Sequence, residues 1–337
     1  MIIGNFDTAR SPLLIAEIGN NHEGDPALAL QMAEAAVAAG AHAVKVQIID
    51  PPRLVNISNA DRIRQLARFR LEPEIFREMA RRVRSRGRLF LASVFDCDTL
   101  NAVHKDLDAI KIASGDLDFD PLLEIAAATD LPVILSTGMS TMDEIVRAAG
   151  VIAAGTARPR TLTDRLAVLH CVSLYPTPLE QANLGAIPRI AAQTGLTVGY
   201  SDHTLGINAA LVAVALGARI IEKHFTLNKQ HSSFRDHALS VDPEEMARLA
   251  AALKVFDEMI GTGTRDQVTA DAATRMVARR SVVAARPLPQ GTKLQPGDLD
   301  YVRPAEGLSP SRARQIIGRG LRRALARHEL IRETDVE

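Results

Sequence analysis

From residue 13 onward, short apolar runs alternate with longer alanine-rich segments whose apolar positions recur at helical spacing. The runs are Leu13–Ile18, Ala43–Ile48, Leu89–Val94, Ala109–Ala113, Pro132–Thr137, Ala167–Val172, Leu196–Ser201 and Arg219–Phe225. Between them, Ala27–Ala39 and Met142–Ile152 carry a helical stripe. Eight strand-length runs alternating with helices predict parallel β/α units. Over about 250 residues, that count favours a (β/α)8 TIM barrel. An open doubly wound sheet is the alternative.

The texture changes after residue 260. From Gly261 to Val277 the residues are polar and small. Beyond that stretch, short runs such as Ser281–Ala285, Leu294–Tyr301 and Ala324–Leu330 are broken by Gly and Pro. The expected organisation is a barrel over residues 1–260, a linker over 261–278, and a small, mostly β domain over 279–337.

A barrel concentrates chemistry where its strands end. The runs end in Glu17 and the polar residues after it, Lys45-Val46-Gln47, Ser93, Lys111 to Asp116, and Ser136-Thr137-Gly138. The later ones end in His170 to Tyr175, Ser201-Asp202-His203 and Glu222-Lys223-His224. Purely structural strands would more often end in turn residues. The joint placement therefore predicts a site at one end of the barrel.

Composition narrows what that site serves. Lysine plus arginine and aspartate plus glutamate number 40 each, so the 337-residue chain is formally neutral. Nothing suggests a nucleic-acid binder or a membrane surface. No apolar stretch approaches the roughly 18 residues of a membrane span. Two cysteines, Cys97 and Cys171, have no paired spacing. They predict neither a disulfide framework nor structural zinc, and fit a reducing cytoplasm. The N-terminus lacks the pattern of a signal peptide.

His203 and His224 fall at adjacent strand ends, where one divalent metal could take both imidazoles. One packed and one loop histidine is the structural alternative. Lys45 and Lys111 inside a barrel call for an anion or a Schiff base. With Ser93, Ser114, Ser136 and Ser201 they would suit a phosphate and a carboxylate, unless the serines only cap helices. Glu17, Asp116 and Asp236 are candidate acid/base groups or sugar-hydroxyl partners, and each could instead cap a helix or pair with a cation.

Taken in order, "AEIGNNHEGD", "VKVQ", "KIASGD", "STGM", "HCVSLYPTPLEQANL", "GYSDHT" and "EKHFT" resemble the sialic acid synthase family. The C-terminal domain resembles type III antifreeze protein, the SAF domain. The resemblance covers almost the whole chain. It implies condensation of phosphoenolpyruvate with a 2-acetamido sugar, releasing phosphate, as in N-acetylneuraminate synthase. Legionaminate and pseudaminate synthases are the related alternatives. It further implies a divalent metal on His203 and His224, manganese first, with magnesium or cobalt as alternatives. The implied phosphoenolpyruvate pocket is Lys45, Ser93, Lys111, Ser114, Ser136, Ser173 and Ser201. Glu17 would lie near the reacting centre, and Gln47, Tyr175 and Asp236 on the sugar side. Arg303, in "VRP", would reach the partner's site in a domain-swapped homodimer.

The chain departs from the family pattern at several places. Ser173 stands where many bacterial members have asparagine, and Asp116 where glutamate is usual. Phe234-Arg235 replaces a common Gly-Pro, and Arg279 or Arg280 replaces an aromatic. The Phe234-Arg235 and arginine changes bear on the sugar more than on the reaction. Two rivals remain at this level: a Schiff-base aldolase or lyase using Lys45 or Lys111, and a non-catalytic carbohydrate-binding protein.

Overall fold

Eight parallel strands close on themselves: β1 (Leu13–Gly19), β2 (Ala43–Ile48), β3 (Leu89–Val94), β4 (Ala109–Ile112), β5 (Val133–Ser136), β6 (Leu166–Cys171), β7 (Thr197–Asp202) and β8 (Ile220–His224). They pair in chain order, and β8 pairs with β1 to complete the TIM barrel. The computed structural model describes residues 1–156, 160–261 and 271–337. The chain divides into two units, Met1–Gly261 and Thr262–Glu337. Each strand end falls within one residue of the position the sequence pattern predicts.

Alternation sorts each strand into two faces. Leu14, Ala16 and Ile18 of β1 join Val44, Val46 and Phe90 under the surrounding helices. Leu13 and Ile15 instead join Ala43, Leu91, Ala109, Ile134, Leu169 and Ile220 in an apolar plug. Continuing the same inward face toward the strand C-termini gives Glu17, Lys45, Ser93, Lys111, Ser136 and Glu222, all buried. The barrel interior is thus apolar below and ionised above.

The helices cover the outer face for readable reasons. In Pro26–Ala38, Ala29, Met32, Ala33 and Ala36 form the buried stripe. Its start is set by Pro26 and by Asp25, whose carboxylate accepts from the Ala27 and Leu28 amides. Met142–Gly155 begins with a capping box between Thr141 and Glu144.

One barrel element has no periodic signal. Ile2–Ile3 pairs with Phe6–Asp7 as a short antiparallel hairpin. Its Ile3 is fully buried in the apolar plug and closes the lower end of the barrel. Among the described residues, no helix is long and apolar enough to cross a membrane.

In the second unit, β9 (Ser281–Ala284) pairs antiparallel with β10 (Leu299–Val302). The other apolar runs contribute isolated bridges, such as Leu288 to Leu325 and Leu321 to Val336, because Gly and Pro interrupt them. Val282, Leu294, Ile316, Leu321 and Ile331 belong to a core of its own. The stretch expected as a linker over 261–278 contains one regular element. Ala272–Ala278 is a helix, which its alanines favour, and the Met276 carbonyl accepts from the Ala305 amide. Residues 262–270 of that expected linker lie outside the described residues.

Candidate active site

The inward face of the upper barrel opens into a cleft of about 1020 Å³. Glu17, Lys45, Gln47, Ser93, Lys111, Ser114 and Ser136 line it, as do Ser173, Tyr175, Ser201, His203, His224 and Asp236. One expected residue is not on this wall. Asp116 sits on the 3-10 turn Ser114–Asp116, because β4 stops at Ile112 and the chain turns away. Arg303 belongs to the second unit, where it is exposed.

Two lysines and two carboxylates form the floor of the cleft. Lys45 Nζ lies 3.1 Å from Glu17 Oε2 and 3.4 Å from Glu222 Oε2, and donates to Ser93 Oγ at 3.2 Å. Lys111 Nζ donates to Ser136 Oγ at 2.7 Å and lies 3.7 Å from Glu222 Oε1. Ser201 Oγ donates to Glu222 at 2.9 Å. Burial would raise the Glu222 pKa, yet Lys111 and Lys45 outweigh it and hold that carboxyl at about 2. Burial prevails at Glu17, whose pKa is raised despite Lys45. For Lys45 the two carboxylates overcome burial and raise the pKa. Lys111 goes the other way: burial lowers its pKa, and Glu222 only partly offsets this. Lys111 is therefore the cation with the greater unmet demand for an anion.

A cradle of small groups lies beside it. The Gly138 amide donates to Ser114 Oγ at 3.0 Å. A side chain at Gly138 would collide with Ser173 Oγ and Ser114 Oγ, so glycine is what lets both hydroxyls close in.

On the opposite side, the His203 and His224 rings are 5.4 Å apart between centroids. His203 Nδ1 faces the Val172 carbonyl at 2.9 Å, which orients the ring and leaves Nε2 to the cleft. His224 is buried and its Nδ1 has no hydrogen-bond partner. Burial, with His203 beside it, pushes its pKa well down, so it is a neutral imidazole. An orphaned, neutral ring nitrogen next to an oriented second imidazole fits a divalent cation.

Above these rings, Tyr175 packs on His203 at 4.1 Å between centroids. The Arg235 guanidinium lies 4.7 Å over the Tyr175 ring and 3.2 Å from Asp236 Oδ1. Gln47 bridges the two halves: it donates to Glu17 at 3.0 Å and accepts from Asn20 at 2.8 Å.

Glu222 and Asn20 are site residues that the sequence reading left without a role. The signal for Glu222 was present, since it lies two positions before His224 on the same inward strand face. Asp202 of "GYSDHT" goes elsewhere. It pairs with Lys223 at 2.9 Å, both fully buried, on the outward faces of β7 and β8.

A family model described as the NeuB family matches residues 32–265, and one described as the SAF domain matches 279–337. The chain belongs to the NeuB family. An N,N'-diacetyllegionaminic acid synthase of Legionella pneumophila is 34% identical over 90% of this chain and 89% of its own. A pseudaminic acid synthase of Campylobacter jejuni is 29% identical over 99% of each chain. The crystal structure of an N-acetylneuraminic acid synthetase from Leptospira borgpetersenii, in complex with citrate, superposes with a TM-score of 0.75. It is 32% identical and covers 81% of this chain and 94% of its own. This NeuB-family chain is accordingly an enzyme of the nonulosonate synthase class, which uses phosphoenolpyruvate for condensation.

Proposed function

We propose that the cleft joins phosphoenolpyruvate to the open-chain form of N-acetylmannosamine, giving N-acetylneuraminate and inorganic phosphate. The observation that carries this reading is the buried Lys45–Lys111 pair with hydroxyls at 3.2 and 2.7 Å, a cation pair suited to a small polyanion. Lys111, Ser136, Ser114 and Ser173 would take one anionic group of phosphoenolpyruvate, and Lys45, Ser93 and Ser201 the other. Tyr175, Gln47 and Asp236 would hold the sugar.

The reaction forms a carbon–carbon bond from C3 of phosphoenolpyruvate to the aldehyde carbon. Positive charge develops at C2, water adds there with loss of a proton, and the tetrahedral adduct expels phosphate to leave the keto acid. Glu222 and Glu17 stabilise the developing cation by facing it from the floor. Glu17, whose pKa burial raises, is suited to move a proton at the reacting carbon or oxygen. His203 and His224 would hold a divalent cation, manganese first and magnesium or cobalt otherwise, supplying Lewis-acid polarisation of the aldehyde.

A legionaminate-type acceptor is the second reading, favoured by the Legionella relative. Arg303, exposed and with no ion pair among the described residues, would complete the site of a partner subunit in a domain-swapped dimer. The free cysteines Cys97 and Cys171 suit a cytoplasmic enzyme.

Phosphate release from phosphoenolpyruvate, with manganese and again with excess chelator, tests the reading. Release with N-acetylmannosamine supports the first acceptor. Release only with 2,4-diacetamido-2,4,6-trideoxymannose moves the assignment to legionaminate. A borohydride-trapped, metal-independent adduct would replace the mechanism with a Schiff-base one.

A further inference from the structure

A second group of ligating side chains, sharing no residue with the His203–His224 pair, joins two loops of the barrel. Glu23 follows β1, while His231 and His237 follow β8. A carboxylate oxygen of Glu23 and one ring nitrogen from each histidine all lie within 4.8 Å of one another. The His231 and His237 rings are 5.1 Å apart between centroids.

His237 is the anchor. It is 1% exposed, and both its nitrogens are spoken for: Nδ1 lies 2.7 Å from Thr226 Oγ1, and Nε2 lies 3.1 Å from Glu23 Oε1. The Thr226 hydroxyl donates to the Asn228 carbonyl at 3.2 Å, so in that arrangement it accepts from His237 Nδ1–H. The Nε2 lone pair of a neutral ring then points at a carboxylate. Two electron-rich atoms at that distance need a positive charge near them. The same Glu23 oxygen also accepts from Ser232 Oγ, so the carboxylate is held in place. If Thr226 donates to Nδ1 instead, Nε2–H simply donates to Glu23, and no cation is required.

We propose that Glu23, His231 and His237 bind a zinc-class divalent cation that ties the loop after β8 to the loop after β1. Two imidazoles and one carboxylate are a ligand set zinc uses, with water completing the shell. A hydrogen bond from the far nitrogen of His237 to Thr226 is the outer support such sites carry. Asp236 adjoins His237 and lines the cleft, as do Ser232 and Phe234. Glu23 itself lines the cleft as well, so the cation fixes part of the wall that faces the sugar side.

Zinc alone is the probe, measured by equilibrium dialysis and metal analysis on the full chain. His224→Ala removes the first pair from the count. The His224→Ala protein should retain one equivalent of zinc, and His224→Ala/His231→Ala should lose it or bind it at least tenfold more weakly. His231 is exposed, so its replacement leaves the packed core alone. Glu23→Gln in the same background should weaken zinc comparably, and in wild-type protein His231→Ala should lower the zinc count by one. Zinc should also slow amide hydrogen exchange over residues 228–240 in His224→Ala but not in the double variant. Absence of zinc from folded His224→Ala protein, or zinc retained unchanged after His231→Ala, overturns the site and leaves the hydrogen-bonded chain. None of these readouts needs turnover, so they stand apart from the sugar and phosphoenolpyruvate assays.

Discussion

Lys111 Nζ lies closer to Ser136 Oγ, at 2.7 Å, than to its nearest carboxylate partner, Glu222, at 3.7 Å. The hydroxyl therefore positions a cation that remains largely open to an incoming anion. Ser136→Ala should raise the KM for phosphoenolpyruvate about tenfold or more while changing kcat less. That matches loss of a hydrogen bond to a charged group, about 1.5–3 kcal/mol. Steady-state kinetics with phosphoenolpyruvate varied would check it, and an unchanged KM would remove Ser136 from the pocket.

Lys45 is the only lysine of the floor that touches both Glu17 and Glu222. Lys45→Met should abolish turnover and also destabilise the barrel by roughly 3–5 kcal/mol, since two buried carboxylates lose a counter-charge. Urea denaturation reads the second effect. Restoration of stability, but not turnover, by adding Glu17→Gln would separate the two.

The histidine pair should behave as a unit. His203→Ala and His224→Ala should each lower turnover by at least about a hundredfold. Each should also weaken binding of added manganese, as read by metal analysis. Full activity in either variant would overturn the assignment.

Asp116 makes a pH prediction. Burial, and then repulsion from Asp118, raises its pKa from an ordinary 3.8 to about 6, with Lys111 opposing. A carboxyl whose folded pKa is raised stabilises most below its unfolded value, and that contribution fades as pH climbs through the folded one. Wild-type stability should therefore fall by roughly 2–3 kcal/mol between about pH 4 and pH 7 on account of this group. Asp116→Asn should flatten that limb in urea denaturation curves. An unchanged slope would show that Asp116 is not buried in solution.

Ending the chain before residue 279 tests the second unit. The barrel has its own cores, so the truncated protein should retain a folded far-UV signature. It should lose turnover if Arg303 serves a partner's cleft, and Arg303→Ala in the full chain should raise the KM for the sugar. Retained activity in the truncation would end the trans role.

The strands were legible because apolar runs of the right length alternate with helical stripes. The site was legible because ionisable residues end nearly every run. What escaped depends on pairing between strands. "EKH" reads as one polar cluster, yet alternation sends Glu222 and His224 inward and Lys223 outward to Asp202. The same alternation takes the aspartate of "GYSDHT" away from the cleft and leaves Ser201 and His203 lining it. Asp116 lies off the cleft wall for a different reason: the turn at Ser114–Asp116 follows a strand that ends sooner than its apolar run. The hairpin at Ile2–Asp7 is too short to show a period, and only the closed barrel reveals what Ile3 plugs.

That plug makes the barrel a blind alley. Whatever enters above the strand ends must leave by the same mouth, because an apolar floor sealed by Ile3 lies below. Lys111 and Ser136 occupy strand positions, whereas Tyr175 and Asp236 come from the loop and the short helix that follow their strands. Entry and exit then share one opening, so anything bound at the strand positions comes and goes past the residues that follow the strands.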